Sequence, residues 1–587
     1  MTAKRTCILI GGILSLFVAL LARFAYIQFV SYGELSESAF EQRLSNTQIE
    51  KMRGNIIDRN GITFTNRERS YTAFIKTAFI PKSPGEREKV CRTLGISSDT
   101  LNKLTSKSKP TLIETDEAGS KAIKELNTNW VTILNSLKRY DDGTLAKHVV
   151  GYLSKKDRVG QSGVERAYEK ELRDNSAYEI GTVTDAAKNP IRGLGYRIRD
   201  LSSDKKQNVR LTLDYHIQQI VEDALNKYGI SGAAVVEDVV TGDILAMASR
   251  PDYDQNAVEN YLNSSGNELF NKATAAYNLG SVFKIIDAAA FFENPDIILD
   301  DAANIAINNN LPGNTSENLS TGLLGSISAG GANKSHFIDN GHYYCEGAVN
   351  INGLIFKCSS YYQGGHGILN MEQAFALSCN SYFIELCQKV GYRELIDMAR
   401  KFGLGSQTGI SGQGVAESAG SLPKSDTYYS QADIANLAIG QGTLLATPLQ
   451  VADIVATVAN GGIKNRVNIV DSVIDDDGNV VREVRVKEGQ RVISTYTANS
   501  IKKLMEAVTE YGTGTDAGIG LSGGAGGKTG SAETGIQGKV HAWFAGYFPK
   551  NGPRYSIAVF VENGQLGGKV AAPVFAEIAR GMVGKGY

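Results

Sequence analysis

The first apolar stretch of the chain covers residues 7–22 and, after one arginine, resumes over 24–30. Its length is that of a single membrane-spanning helix. Because Lys4 and Arg5 lie on its short N-terminal side, we predict an uncleaved cell-membrane anchor over residues 1–35, with a cytoplasmic N-terminus and everything that follows outside. A cleaved signal peptide is the alternative, since small residues end the first part of the stretch.

The region after the anchor has no long apolar run. Residues 36–205 are polar and contain short strand-like segments and turn signals such as Asn60-Gly61. Nothing in this pattern indicates catalytic chemistry. We predict an irregular, mostly β domain here.

A different pattern begins after residue 205. It predicts a helix over 208–229, a strand pair over 232–251 and further strands over 541–549 and 555–563. Helices and strands alternate between these segments. The second domain, residues 206–587, is therefore predicted to be α+β, and the whole chain to be a multidomain α+β protein.

Length and charge limit the classes of function. A chain of 587 residues exceeds what one hydrophobic core usually organises. The net charge of -1 gives no electrostatic footprint for nucleic acid, so we exclude a nucleic-acid partner.

A lysine interrupts an apolar helix in the second domain. Lys284 follows Ser281 by three residues in "GSVFKIIDAAAFF", a spacing that places both side chains on one face of a helix. Apolar surroundings disfavour the ammonium form and would leave this amine free to accept the serine proton. The same pattern occurs elsewhere in the chain, for example at Ser106/Lys109, Ser202/Lys205, Ser421/Lys424 and Ser500/Lys503. The spacing alone therefore fits equally an ordinary core helix whose lysine reaches the surface.

Two more motifs follow Ser281 in order. Ser378 and Asn380 begin a second apolar helix, and Lys528, Thr529 and Gly530 form the only Lys-Thr-Gly in the chain. Taken separately, they fit a helix cap and a glycine-rich turn. Those readings do not explain why the three motifs occur together in this order and in these apolar surroundings.

The combination of Ser-x-x-Lys, Ser-x-Asn and Lys-Thr-Gly is the signature of penicillin-binding proteins and serine β-lactamases. The chain resembles the class B, monofunctional penicillin-binding proteins, also in "RGNIIDRNG" (53–61), "GQSGVERAYEKEL" (160–172) and "NLAIGQGTLLATPLQVA" (436–452). This resemblance implies an elongated non-catalytic pedestal of the dimerisation type over 36–205. It also implies a β-lactamase-like transpeptidase domain over 206–587, an antiparallel sheet with helices on both faces plus an all-α lobe.

The same resemblance implies the chemistry of a D,D-transpeptidase. Ser281 would attack the peptide bond between the two terminal D-alanines of a peptidoglycan stem peptide and form an acyl-enzyme, with Lys284 taking the proton. Ser378 would relay a proton to the leaving D-alanine, and Asn380 would hold the substrate backbone. β-Lactams would acylate the same serine, and no cofactor is required for this chemistry.

The remaining implied roles concern substrate binding. Lys528 and Thr529 would hold the substrate carboxylate at a strand edge, and Gly530 would leave room for its close approach. Backbone N–H groups of Ser281 and Ser531 would form the oxyanion hole. The amine of a neighbouring stem peptide would then resolve the acyl-enzyme into a crosslink.

Three other functions remain open from the sequence. A β-lactamase or a D,D-carboxypeptidase would use the same motifs, and a non-enzymatic cell-wall scaffold would use the anchor and pedestal alone. Rapid loss of a penicilloyl adduct would indicate a β-lactamase. Release of D-alanine without crosslinking would indicate a D,D-carboxypeptidase. Since the chain shows no glycosyltransferase domain, a polytopic membrane glycan polymerase is the implied partner.

Three cysteines and a histidine raise a separate possibility. Cys345, Cys358, His366 and Cys379 could supply a tetrahedral Cys3His zinc site, and the resemblance extends to relatives that carry zinc at corresponding positions. Because Cys379 lies between Ser378 and Asn380, this metal would support the second motif structurally. A Cys345–Cys358 disulfide or isolated buried thiols are the alternatives, and His342 and Asp339 are substitute ligands.

One segment has no function that the sequence reveals. Residues 303–335 are rich in asparagine, glycine and serine. This composition predicts an extended surface loop.

Overall fold

The structure is a computed structural model of the chain. It describes residues 3–30, 44–50, 53–76, 80–81, 83–105, 111–155, 157–173, 177–183, 196–201, 207–294, 336–338, 342–518 and 520–587. Asp339 and the segment 303–335 lie outside these described residues.

Strands are distributed along the whole described chain. They are β1 (Leu44–Glu50), β2 (Ile56–Ile57), β3 (Glu68–Ile75), β4 (Thr111–Thr115), β5 (Val131–Lys138), β6 (Ala177–Val183), β7 (Tyr196–Leu201), β8 (Gln207–Leu211), β9 (Gly232–Asp238), β10 (Ile244–Arg250), β11 (Phe337–Ile338), β12 (His342–Cys345), β13 (Ala348–Ile351), β14 (Leu354–Lys357), β15 (Gly367–Leu369), β16 (Ile463–Asn465), β17 (Val470–Asp475), β18 (Val480–Glu483), β19 (Gly489–Arg491), β20 (Gly526–Glu533), β21 (Val540–Phe548) and β22 (Tyr555–Val561).

The α-helices are also distributed along the whole described chain. They are α1 (Ala3–Ala25), α2 (Pro84–Thr93), α3 (Ser98–Thr105), α4 (Glu117–Glu125), α5 (Lys147–Val150), α6 (Gly163–Ala167), α7 (Glu169–Leu172), α8 (Tyr215–Lys227), α9 (Lys284–Phe292), α10 (Met371–Ala376), α11 (Asn380–Val390), α12 (Tyr392–Lys401), α13 (Gln431–Ala438), α14 (Pro448–Ala459), α15 (Thr495–Glu510), α16 (Thr515–Gly518) and α17 (Gly567–Gly584).

The predicted anchor is a helix. Helix α1 continues into a π-helical turn at Tyr26–Val30, and the segment Ile8–Phe29 is long and apolar enough to cross a membrane. Its large side chains are exposed, as expected for a surface that faces lipid.

The chain forms two compact units that interleave along the sequence. The first contains residues 1–54, 66–141 and 173–206, and the second contains 55–65, 142–172 and 207–587. The predicted boundary at residues 205 and 206 stays a prediction.

Two antiparallel sheets, in strand orders β1-β6-β7 and β4-β3-β5, form the first unit. Helices α2 to α4 accompany the second sheet, and its core contains Ala73, Val90, Leu101 and Trp130. This unit agrees with the predicted mostly β character.

The second unit is organised around an antiparallel sheet of order β10-β9-β22-β21-β20. Helices α8 and α17 pack on one face, where Val236, Phe544 and Ile557 are buried. Helix α14 covers the other face, where the Ser556 hydroxyl donates to Ala452 O at 2.9 Å. Burial on both faces explains the nearly continuous apolar sequences of these strands.

The predicted helix over 208–229 is wrong in its first residues. Residues 207–211 form strand β8, which pairs with β17, and the helix begins only at Tyr215. Asp214 caps it, since its carboxylate accepts hydrogen bonds from the backbone N–H groups of His216 and Ile217. In the sequence, a strand followed directly by a helix cap and a helix resembles one periodic segment.

Helices α10 to α13 form the lobe beside the sheet. Helix α11 packs against α13 and α9, and the short strands β11 to β15 adjoin its N-terminal end. The lobe therefore consists mainly of helices, with a small β region at the end where the predicted second motif lies.

Candidate active site

Ser281 lies in a tight turn that directly precedes the helix bearing Lys284. Residues Gly280–Phe283 form a 3-10 turn, and α9 starts at Lys284. Gly280 has φ +55°, and a Cβ there would lie 2.5 Å from the carbonyl oxygen of Ser531. Only glycine fits this left-handed, close-packed position without strain. The turn places the Ser281 hydroxyl oxygen 3.0 Å from Lys284 Nζ.

The Lys284 amine is completely buried and is held by polar groups of the second motif. Nζ donates to Ser378 O at 2.9 Å and to Asn380 Oδ1 at 2.7 Å, and lies 3.3 Å from Ser378 Oγ. Burial lowers the Lys284 pKa to about 8, against the opposing effect of nearby acidic groups, the Cys358 thiol first among them. The neutral amine is therefore accessible near physiological pH.

The second motif lies at the junction of two helices. Helix α10 ends with Ser378 N donating to Phe375 O and Cys379 N donating to Ala374 O, and α11 begins at Asn380. Ser378 has φ +57°, a left-handed conformation that is rare for a residue with a side chain. This conformation turns the chain between the helices while both Ser378 and Asn380 contact Lys284.

The third motif lies on β20, the strand at one end of the five-stranded sheet. Lys528 is opposite Ala545 of β21, is fully buried, and donates from Nζ to Ser378 Oγ at 2.9 Å. Burial, followed by the charge of Lys284, holds the Lys528 pKa well below its usual value. The Ser378 hydroxyl thus lies between two buried amines.

Gly530 and Ser531 bring β20 against the turn that carries Ser281. A Cβ on Gly530 would lie 2.9 Å from both Leu279 O and Val282 Cγ2. A side chain at this position would push the strand away from the nucleophile. The predicted motifs therefore meet in one place, with Ser281, Lys284, Ser378, Asn380 and Lys528 linked by hydrogen bonds.

Sequence reasoning missed a residue beside the third motif. Thr513, in the loop between α15 and α16, has its hydroxyl oxygen 2.6 Å from that of Thr529. It also donates to Ala376 O at 3.3 Å and so connects β20 to the end of α10. No pattern in the sequence marks a threonine in this loop.

A second missed residue lies behind Lys284. Asp287 is fully buried one helical turn after Lys284, and neither carboxyl oxygen has a hydrogen-bond partner of acceptable geometry among the described residues, although the Cys387 thiol lies beside it. Burial raises the Asp287 pKa well above its usual value. The charge of Asp287 is also one of the effects that oppose the lowering of the Lys284 pKa by burial.

The predicted metal ligands lie together. The thiol sulfurs of Cys345, Cys358 and Cys379 and a nitrogen of His366 lie within 4.8 Å of one another. The three cysteines are buried and free, so the Cys345–Cys358 disulfide is not formed in this structure. His342, the substitute ligand, belongs to β12 and is not a member of this group.

This cysteine group contacts the second motif through the backbone. The N–H of Asn380 donates to Cys358 Sγ at 3.3 Å, and Cys379 itself precedes Asn380. One member of this cysteine group, Cys379, therefore lies in the same turn of the chain as Ser378 and Asn380.

Comparison with known proteins places the chain in a family. A model described as the penicillin binding protein transpeptidase domain matches residues 232–306 and 327–580, more than half of the chain, and a penicillin-binding protein dimerisation domain matches 48–197. The chain therefore belongs to the class B penicillin-binding proteins, and its activity is that of a peptidoglycan D,D-transpeptidase.

Individual relatives agree with this assignment over nearly the full length. Stage V sporulation protein D of Bacillus subtilis (strain 168) is 28% identical, covering 98% of this chain and 84% of the relative. Peptidoglycan D,D-transpeptidase MrdA of Acinetobacter baumannii is 27% identical, covering 96% and 86%. A solved chain described under "Structural coordination of polymerization and crosslinking by a peptidoglycan synthase complex" is 25% identical, with a TM-score of 0.69 over 100% of this chain and 99% of that one.

The predicted family, fold class and type of enzyme are confirmed by these matches. The roles of individual residues stay predictions, since the comparisons cover domains and not side chains.

Proposed function

We propose that Ser281 is the nucleophile of this transpeptidase and that Lys284 is its general base. The observation that carries the proposal is the 3.0 Å separation between Lys284 Nζ and Ser281 Oγ, in a site where Lys284 is fully buried. Serine oxygen attacks the carbonyl carbon of the D-alanyl-D-alanine bond while its proton passes to the neutral amine.

Ser378 is proposed to carry that proton to the leaving group. Its hydroxyl oxygen is 3.3 Å from Lys284 Nζ and 2.9 Å from Lys528 Nζ. Collapse of the tetrahedral intermediate breaks the C–N bond, and the departing amine of D-alanine takes the proton through the Ser378 hydroxyl. Lys528 keeps this hydroxyl oriented by donating a hydrogen bond to its oxygen.

Substrate binding is proposed along β20. Thr529, which is 6% exposed, and the Lys528 amine suit the terminal carboxylate of the substrate, because a carboxylate nearby favours the protonated amine. Backbone N–H groups of Ser281 and Ser531 suit the developing oxyanion, because the Gly280 turn brings these two segments together. Asn380 is proposed to hold the peptide backbone of the substrate.

The second half-reaction forms the crosslink. An amine of a neighbouring stem peptide attacks the Ser281 ester, the C–O bond to the serine breaks, and the serine recovers a proton from the amine through Lys284. The reaction with a β-lactam stops after the first half-reaction, because the acyl group left on Ser281 is stable.

Intact-mass measurement after incubation of the full chain with benzylpenicillin tests this assignment. We expect one stable adduct on the parent protein and none on Ser281→Ala or Lys284→Ala. Ser421→Ala and Lys424→Ala are matched controls, since they repeat the Ser-x-x-Lys spacing elsewhere and should acylate normally. An adduct on folded Ser281→Ala would overturn the assignment, and rapid loss of the adduct would favour the β-lactamase alternative.

The membrane arrangement is also a proposal. The apolar segment Ile8–Phe29 and the preceding Lys4 and Arg5 support a single-pass protein whose catalytic domain is extracytoplasmic. The proposed segments are the anchor 1–35, the pedestal 36–205 and the transpeptidase domain 206–587. Protease accessibility in intact spheroplasts should be confined to residues after the anchor.

A membrane glycan polymerase is the proposed partner. The support is the solved peptidoglycan synthase complex that matches the full length of this chain, whose description couples polymerization with crosslinking. Co-purification of the full chain with the polymerase encoded by its own organism tests this, and separate elution in mild detergent would speak against it.

We further propose that Cys345, Cys358, His366 and Cys379 hold a structural zinc ion. A tetrahedral site separates two sulfur ligands by about 3.8 Å and sulfur from nitrogen by about 3.5 Å. The Cys358 and Cys379 sulfurs are 3.8 Å apart, and His366 Nδ1 is 3.6 Å from Cys345 Sγ and 3.4 Å from Cys358 Sγ. These separations support the fit.

The zinc would act by stabilising the loop, and not as a Lewis acid. Its ligand Cys379 immediately precedes Asn380, and Cys358 accepts the Asn380 N–H. Elemental analysis of the purified chain should give about one zinc per molecule. Metal-free protein with unchanged stability and unchanged acylation would remove the proposal.

A further inference from the structure

A lysine outside the three motifs lies next to the catalytic asparagine. Lys357 ends strand β14, and its backbone carbonyl accepts a hydrogen bond from Asn380 Nδ2 at 3.1 Å. The other end of the same amide, Asn380 Oδ1, accepts from Lys284 at 2.7 Å. The backbone of Lys357 is therefore linked to the proposed base, Lys284, through the side-chain amide of Asn380.

The Lys357 side chain lies over two aromatic rings at the surface. Its Nζ is 4.5 Å from the centroid of Tyr361 and 5.4 Å from that of Tyr362. The two rings meet edge to face at 5.1 Å, and Tyr362 is 88% exposed. We call Lys357, Tyr361 and Tyr362 the lysine platform.

The charge of the lysine platform has no counterion among the residues that the structure describes. Lys357 is absent from the ion pairs of this part of the chain, whereas the comparable exposed Lys227, which lies near the ring of Tyr228, pairs with Glu577 at 2.7 Å. A cation over aromatic rings, with no carboxylate beside it, is complementary to an anionic ligand.

Two large apolar side chains are exposed in the strand that ends at Lys357. Leu354 and Ile355, in the same strand, are 56% and 63% exposed. Large exposed apolar side chains beside a cation suit a ligand that combines methyl groups with a carboxylate. Peptidoglycan stem peptides have this composition, since they carry alanine methyl groups and free carboxylates.

Two stem peptides must meet at Ser281, and the first already has a proposed carboxylate-binding residue. The terminal carboxylate of the donor peptide is assigned to Lys528 on β20, so the donor does not require Lys357. We infer that the lysine platform binds a carboxylate of the acceptor stem peptide, an inference that rests on the proposed transpeptidase site. Its role is to hold the acceptor amine near the Ser281 ester, so that the amine rather than water attacks.

Measuring the two half-reactions separately distinguishes acceptor binding from the proposed acylation chemistry. The test uses the full chain and glycan strands polymerised from the lipid-linked precursor extracted from the source bacterium. The readouts are the ratio of crosslinked to hydrolysed product and, separately, the rate of acylation by benzylpenicillin. Lys357→Gln and Tyr362→Ala change only side chains, and the Lys357 carbonyl that holds Asn380 remains.

We expect Lys357→Gln to lower the ratio of crosslinked to hydrolysed product about fivefold, which corresponds to the loss of one exposed charge pair, and Lys357→Arg to retain it. Acylation should stay within about twofold of the parent. Lys227→Gln and Tyr228→Ala are matched controls, because this exposed pair lies at the end of α8, next to β10 at the opposite end of the sheet from β20.

An unchanged product ratio in Lys357→Gln would overturn the inference and leave the proposed function intact. An equal loss of acylation and crosslinking would also overturn it, since the platform would then only support Asn380. Failure of benzylpenicillin to acylate the parent protein would contradict the proposed function itself.

Discussion

The two sides of the catalytic cleft are built in different ways. On one side, which we call the strand wall, all eight residues of β20 pair with β21 in a sheet that is buried on both faces. On the other side, the cysteine wall, residues 342–380 contain strands of only three or four residues and the junction between two helices.

This difference shows how each side keeps its catalytic groups in place. Backbone hydrogen bonds and packing are sufficient for the strand wall. The cysteine wall has few backbone pairs, and it gathers three thiols and an imidazole directly behind Ser378 and Asn380. We therefore expect the strand wall to be sensitive to changes of shape and the cysteine wall to be sensitive to loss of its donor atoms.

The largest effect is expected from adding a side chain to the strand wall. Gly530→Ala would place a Cβ 2.9 Å from Leu279 O and Val282 Cγ2. Because strand and nucleophile would have to separate, we expect acylation by benzylpenicillin to fall on the order of 100-fold. Gly412→Ala, where a Cβ meets no atom within 4 Å, is the matched control. Parent-like acylation in folded Gly530→Ala would show that this close approach is not required.

Removing one donor atom tests the cysteine wall. Cys358→Ser should lower acylation about thirtyfold and reduce bound zinc, since the ligand set and the sulfur that accepts the Asn380 N–H are lost together. Cys91→Ser, a buried thiol of the first unit, should leave both unchanged. Normal acylation by zinc-free Cys358→Ser would mean that short strands alone hold this wall.

The pH dependence of acylation tests the amine that contacts both Ser281 and the cysteine wall. Burial lowers the Lys284 pKa to about 8, and the neutral amine is the active form. The acylation rate constant should therefore rise with pH, about tenfold per unit well below 8, and level off above that value. A flat profile between pH 6 and 9 would exclude Lys284 as the titrating base.

The smallest effect is expected where the two walls are joined by a hydroxyl group. Thr513→Val removes the hydrogen bonds to Thr529 and to Ala376 O. Because the contact with Ala376 O is long, at 3.3 Å, we expect a total loss close to that of one neutral hydrogen bond, about 1 kcal/mol or about fivefold in acylation rate. The exposed Thr427→Val serves as control, and equal acylation of the two variants would show that Thr513 does not support the site.

That the Ser281 motif and the Lys528 motif belong to one site was predictable from the sequence, because the residues of each motif are close together in the chain; their roles stay predictions. Ser281 and Lys284 lie one turn apart, and Lys528, Thr529 and Gly530 follow one another in a buried strand. For the same reason the family and the fold class could be predicted. The gathering of Cys345, Cys358, His366 and Cys379 was a hypothesis on loose spacing that local pattern alone does not fix.

Features that depend on distant contacts could not be predicted. Thr513 meets Thr529 only because α15 and β20 pack together, and Asp287 lies beside the Cys387 thiol only because of tertiary packing. Residues 55–65, one of the two early segments of the second unit, contain the two-residue strand β2, which pairs in parallel with β8 from about 150 residues away. A two-residue strand has no periodic signal.

Strand β20 is the last strand of its sheet, with β21 on one side only. A free edge usually risks pairing with other protein chains. Here the Gly280 turn lies close to Ser531, and the Thr513 hydroxyl contacts that of Thr529. A segment that pairs with such an edge must itself be extended. The strand therefore selects a ligand by its backbone conformation as well as by its side chains.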